Sequence, residues 1–159
     1  MLFRSYFAGN RSTSDCAPGW YKVNQACFLF NFQLEAKWGD ARSSCHRLGA
    51  DLAVVNNATT LEAIASQRKQ LKLDDHELFL GLSGQLKWVW SDRPNLSATP
   101  KLWGPGEPSG DGKCGSFLNA TSWDSAWQGY GWRWNDQKCT YRQGYICEEP
   151  LGGLSLQKT

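Results

Sequence analysis

No apolar run in the 159-residue sequence approaches the roughly 18 residues a membrane-spanning helix requires. Its first apolar residues, Met1-Leu2-Phe3, meet Arg4 before a signal-peptide core can form. Blocks of like charge are also missing. The 17 basic and 15 acidic residues leave a net charge of +2, which argues against a nucleic-acid surface or a polybasic membrane patch. There is no internal repeat.

Carriers of catalytic chemistry are equally scarce. The only histidines are His46, directly after Cys45, and His76, in an acidic turn, and neither lies in an HExxH motif or beside a nucleophile elbow. The carboxylate pairs Asp74-Asp75 and Glu148-Glu149 are sequence neighbours, which suits a turn and a strand end rather than a glycosidase dyad. A binding module is expected, not an enzyme.

What the chain does contain is cysteine and glycosylation sequons. Cys16, Cys27, Cys45, Cys114, Cys139 and Cys147 lack the close CxxC pairs of a zinc ribbon, so disulfides are expected, with their pairing left open by spacing alone. N-x-[ST] sequons at Asn10, Asn57, Asn95 and Asn119 agree with an oxidising, glycosylating compartment. The expected localisation is extracellular, as a secreted protein or cell-surface ectodomain, with any signal or membrane anchor outside this sequence.

With 41% hydrophobic residues the chain suits one globular domain. Residues 1–15 read as a flexible lead-in, residues 16–149 as the packed unit and residues 150–159 as a loose tail. Spacing of Trp38, Ala41, Cys45 and Leu48 predicts a helix over 36–48, stopped by Gly49. After a short strand at 51–55, Thr59 and Glu62 form a capping-box pattern opening a second helix that runs to Leu71. Further strands are expected at 21–30, 78–82, 87–90, 114–118, 132–134 and 144–147. Helices preceding most strands give an α+β class. The Pro- and Gly-rich stretch 91–113 is too long for a hairpin, and Trp103, Pro105 and Pro108 argue that it is an ordered, functional loop.

Trp134-Asn135-Asp136, three residues before Cys139, sets two oxygen-bearing side chains inside the cysteine frame, and Glu107-Pro108-Ser109 supplies a second oxygen source before Cys114. Such hard oxygens suit calcium. Together with Phe79-Leu-Gly-Leu82, Tyr145-Ile-Cys-Glu148 and the order of the cysteines, these segments resemble the C-type lectin-like domain over residues 16–148.

That resemblance implies disulfides Cys16–Cys27, Cys45–Cys147 and Cys114–Cys139, a cis bond before Pro108, and a calcium ion that shares its ligands with a sugar. The implied calcium ligands are Glu107, Asn135 and Asp136, with Ser109 and Asp111 as further candidates. Glu107, Ser109, Asn135 and Asp136 would also contact carbohydrate, of mannose type by the glutamate at position 107. Two positions depart from the family pattern: Ser109 stands where an asparagine is usual, and Gly112 where another carboxylate is usual, with Asp111 the nearest substitute. Between Cys114 and Cys139, the aromatic residues Trp123, Trp127, Tyr130 and Trp132 stack on sugar rings, Trp127 and Trp132 being the candidates, or anchor a protein partner, or pack as a satellite core. Two functions follow: a calcium-dependent receptor for glycans or glycoproteins, and a calcium-independent module that recognises a protein ligand on the same frame.

Overall fold

A computed structural model describes residues 15–73, 76–84, 86–120 and 124–151. Strands β1 (Tyr21–Val23) and β2 (Ala26–Ala36) form a hairpin rather than the single expected strand. Its turn includes Asn24, which takes the left-handed conformation (φ 54°) that asparagine tolerates better than most residues. Helix α1 (Trp38–Arg47) turns Ala41 and Cys45 inward, and Gly49 closes its end by donating to the His46 carbonyl at 3.0 Å. Leu48, expected on the buried face, is 54% exposed because the helix has already ended there.

Strand β3 (Asp51–Leu52) follows, then helix α2 (Ala58–Gln70). Its cap differs from the one expected. Asn57 Oδ1 accepts from the Thr60 backbone N–H at 2.8 Å, so the helix starts before Thr59, and Thr59 and Glu62 already lie within it. Arg68 near its end is fully buried, donating to the carbonyls of Phe117 (3.1 Å) and Leu73 (2.8 Å) with its guanidinium 3.6 Å from the Trp132 ring centroid.

The remaining strands are β4 (Leu78–Gly84), β5 (Trp88–Trp90), β6 (Cys114–Leu118), β7 (Arg133–Gln137) and β8 (Gln143–Pro150). They complete one mixed sheet in the order β1-β2-β8-β4-β6-β7, with β3 on β8 and β5 on β4. Among the described strands β4 and β8 pair in parallel, Leu78 opposite Gly144 and Phe79 opposite Tyr145. Strand β8 runs through Pro150, which faces Ala26, so pairing extends past residue 149.

All three implied disulfides are present. Cys45–Cys147 joins α1 to β8 beside buried Leu52, Phe79 and Tyr145. A larger cluster gathers Phe28, Ile64, Leu80, Trp90, Phe117 and Trp134. Asp51 anchors α1 to the sheet by accepting from Arg42 at 2.9 and 3.0 Å; burial pushes its carboxyl up, but bonds from Arg42, His46 and the Leu52 N–H outweigh that and hold it below the usual range.

Candidate functional site

Four indole rings set the loop between β5 and β6 against the sheet. Trp134, wholly buried, meets Trp90 edge-on at 5.3 Å and Trp103 at 5.5 Å, and Trp103 in turn meets Trp88 at 4.9 Å. The Trp134 indole N–H donates to the Val55 carbonyl at 3.1 Å, so the ring has a polar partner as well as a packed one. Gly104 N–H then donates to the Trp134 carbonyl at 2.9 Å, which fixes where the loop leaves the sheet. The order expected from Trp103 thus has a definite cause.

Beyond Gly104 the loop turns through Gly106 (φ +78°) and the Glu107–Pro108 bond, which is cis, and folds over the end of β7. Asp136, 1% exposed, receives it. Its Oδ1 accepts from the Ser109 backbone N–H at 2.7 Å and the Ser109 hydroxyl at 3.2 Å; its Oδ2 accepts from the N–H groups of Gly110 (2.8 Å) and Gly112 (3.2 Å). Glu107 Oε2 accepts the same Ser109 N–H at 2.9 Å. Both carboxyl groups thus converge on the Ser109 N–H, close enough for each to act on the other's ionisation.

That pair shares a proton unequally. Burial first, then the hydrogen bond and negative charge of Asp136, push the Glu107 carboxyl up to about 7. Burial would raise Asp136 too, but the bond from Glu107 and the N–H groups of Ser109, Gly112 and Gly110 hold it below the usual carboxylate range. Glu107 therefore takes up a proton at higher pH than Asp136 does.

The other expected ligands fall elsewhere. Asn135 and Asp136 sit within β7 rather than at its end, so successive side chains point to opposite sides of the sheet. Asn135 Nδ2 donates to Glu77 Oε1 at 3.0 Å, next to the Ser116 hydroxyl on the same oxygen and Gln137 Nε2 at 3.5 Å from the other. Asp111 is exposed on the loop. At Gly112 a Cβ would lie 2.0–2.6 Å from the Gln137 backbone, which explains why no side chain, and so no carboxylate, stands there. Sequence reasoning missed Glu77 and the loop N–H groups; strand alternation carried through to Gln137 would have separated Asn135 from Asp136.

Trp127 and Trp132 are packed inside the fold, whereas Tyr130 is 49% exposed. Trp127 is 2% exposed with its ring against Gly104, and Trp132 is 8% exposed, stacked on Phe117 at 5.1 Å and covered by Arg68. Their burial agrees with the satellite-core reading. Trp123, Asn10 and the Asp74-Asp75 pair lie outside the described residues. Asn57 and Asn95 are exposed, and Asn119 is half-buried.

Calcium takes six to eight oxygen ligands. Here two carboxyl groups and one hydroxyl meet, and both Asp136 oxygens already accept N–H and O–H donors. Among the described residues no three His, Cys, Asp or Glu side chains are grouped to hold a metal. The donor set in this arrangement does not fit calcium.

The sequence matches the Lectin C-type domain family over residues 35–149. The chain belongs to this family, whose members are recognition modules rather than enzymes. Among curated relatives it is 29% identical over 140 residues to mouse C-type lectin domain family 4 member A, covering 85% of this chain and 54% of that protein. It is 30% identical over 138 residues to mouse C-type lectin domain family 6 member A, covering 84% and 60%. The chain thus spans little more than half the length of these relatives. Among solved structures, the lectin domain of murine dendritic cell inhibitory receptor 2, in complex with N-glycan, superposes with a TM-score of 0.72 at 24% identity, over 86% of this chain and 99% of that one. SPL-1, in complex with GlcNAc, gives 0.71 at 26%, over 85% and 95%.

Proposed function

We propose that this chain is the extracellular glycan-recognition domain of a cell-surface receptor or secreted lectin, and that its loop face is organised by Asp136 instead of by calcium. One observation carries the reading: the Asp136 carboxylate accepts bonds from Ser109, Gly110 and Gly112. In the metal-dependent arrangement implied by family resemblance, that carboxylate would spend its lone pairs on the ion. Here they hold the loop. Family membership and the GlcNAc complex of SPL-1 support carbohydrate as the ligand class. The protein-ligand alternative draws on an aromatic insertion, of which Trp127 and Trp132 are buried while Tyr130 stays 49% exposed.

Recognition falls to the exposed groups of the same loop. The Ser109 hydroxyl and the Asp111 carboxylate are exposed, and with the partly exposed Glu107 carboxyl they offer acceptors and donors to the vicinal hydroxyls of a pyranose. Single sites of this kind bind weakly, and clustering raises avidity. The test is retention of a multivalent form on immobilised mannose, galactose and N-acetylglucosamine, with calcium and then with chelator. Retention that survives the chelator is expected. Elution by chelator from mannose would establish the calcium-dependent, mannose-type function instead, and failure on all three sugars would favour a protein ligand.

A further inference from the structure

A pocket of about 450 Å³ lies where the β1–β2 turn, the N-terminus of α2, β8 and the first residues of the β5–β6 loop meet. Its volume falls within the roughly 300–1,000 Å³ range of small-molecule sites. The floor is apolar, with Phe28 and Val54, and the rim carries Asn24, Gln25 and Arg93. Two of the four sequons border it: Asn57 lines one side, and Leu96, the middle residue of Asn95-Leu96-Ser97, lines another.

Asn57 is unusually well aimed. Its Oδ1 is held by the Thr60 N–H at 2.8 Å as the cap of α2, and this fixes the plane of the side-chain amide and hence the direction of Nδ2. Asn57 and Thr59 are both exposed, as glycan transfer requires. Arg93 is anchored on Glu148 at 3.1 Å yet remains half-exposed, leaving N–H groups facing outward. Such a rim supplies donors for sugar hydroxyls and an acetamide oxygen, while Leu96 and Val54 offer apolar surface to an acetamide methyl.

We infer that Asn57 carries an N-glycan whose reducing-end N-acetylglucosamine residues are seated in this pocket, so that the domain binds its own glycan as a structural part. The attachment joins Nδ2 to the anomeric carbon, with loss of one Nδ2 proton and departure of the diphosphate of a lipid-linked oligosaccharide donor. The Oδ1 cap on α2 is unaffected. Because the first ring is one bond from a side chain that lines the pocket, it covers the rim as soon as it is attached.

The experiment is site-resolved deglycosylation of the native protein from a glycosylating host, with each released site read by mass spectrometry as Asn converted to Asp. Release at Asn57 is expected to be about tenfold slower than at Asn95 or Asn119, the factor that 1.4 kcal/mol of seating would give. A second variant, Thr59→Ala, removes the sequon while keeping the Asn57 cap, and alanine is the better helix former. It should lower Tm by about 3–6 °C in glycosylated protein and leave unglycosylated protein unchanged or slightly more stable. The inference is overturned by an unmodified Asn57, by release at Asn57 as fast as at the other sites, or by a Thr59→Ala variant with unchanged Tm in glycosylated protein.

Discussion

Ser109 and Asp136 are joined twice, the backbone N–H and the hydroxyl of the serine both donating to the same carboxylate oxygen at 2.7 and 3.2 Å. Serine is short enough for both contacts to form on one atom. The departure from the family's usual asparagine is therefore matched to the way the loop is held.

Replacing Asp136 should expose how much of the loop depends on it. Asp136→Ala leaves the N–H groups of Gly110 and Gly112 without their acceptor and should cost about 1–3 kcal/mol. Urea unfolding measures the loss, and amide exchange should accelerate at residues 109–112 before the rest of the domain responds.

Stability should fall as pH rises through neutrality. The Glu107 carboxyl is raised to about 7, above its ordinary 4.5, so between these values the folded state binds more protons than the unfolded chain. Its contribution is fully present below the unfolded value and is lost as pH rises through about 7. Denaturation midpoints from pH 4.5 to 8 should show this slope in the wild type, and Glu107→Gln should flatten it.

Gly112 should resist replacement by the carboxylate the family usually carries. Gly112→Asp drives a Cβ into the Gln137 backbone and should destabilise by about 1–3 kcal/mol or push the loop off β7. A calcium titration of this variant followed by calorimetry should show no new tight site; a high-affinity transition would mean that the loop can rebuild itself around an ion.

Arg68 is a buried cation held by two carbonyls and an aromatic face. Arg68→Ala should cost about 3 kcal/mol, combining lost charge-assisted bonds with a cavity under Trp132. Trp fluorescence should report the looser ring, and Arg68→Met should recover part of the stability by filling the space.

Much of this fold was legible because its markers are local. The order of six cysteines, Phe79-Leu-Gly-Leu82 and Trp134-Asn135-Asp136 carried the architecture, and both helices could be read from their apolar spacing. Boundaries were harder. Thr59 and Glu62 formed a plausible capping box, but Asn57 is also a good cap, and the sequence alone does not rank the two. In the site, Glu107 and Asp136 were readable as oxygen donors, whereas the Asn135 bond to Glu77 was not, because β7 runs on to Gln137 instead of ending at Trp134. The roles of Gly110 and Gly112 were hidden because their backbones act there, not their side chains.

Ala26 and Pro150 face each other across β2 and β8, so β2 begins and β8 ends at one corner of the sheet. Tension applied at Cys16 and Leu151 would pass through the Cys16–Cys27 bond and peel β8 from β2 like a zipper. Peeling would release Pro150, Glu149 and Glu148, and then reach Cys147, covalently held to Cys45 on α1. The bridge is a mechanical stop. Since β6 and β7 lie outside that load path, a domain tethered at both ends can be pulled taut while Asp136 keeps its grip on the loop.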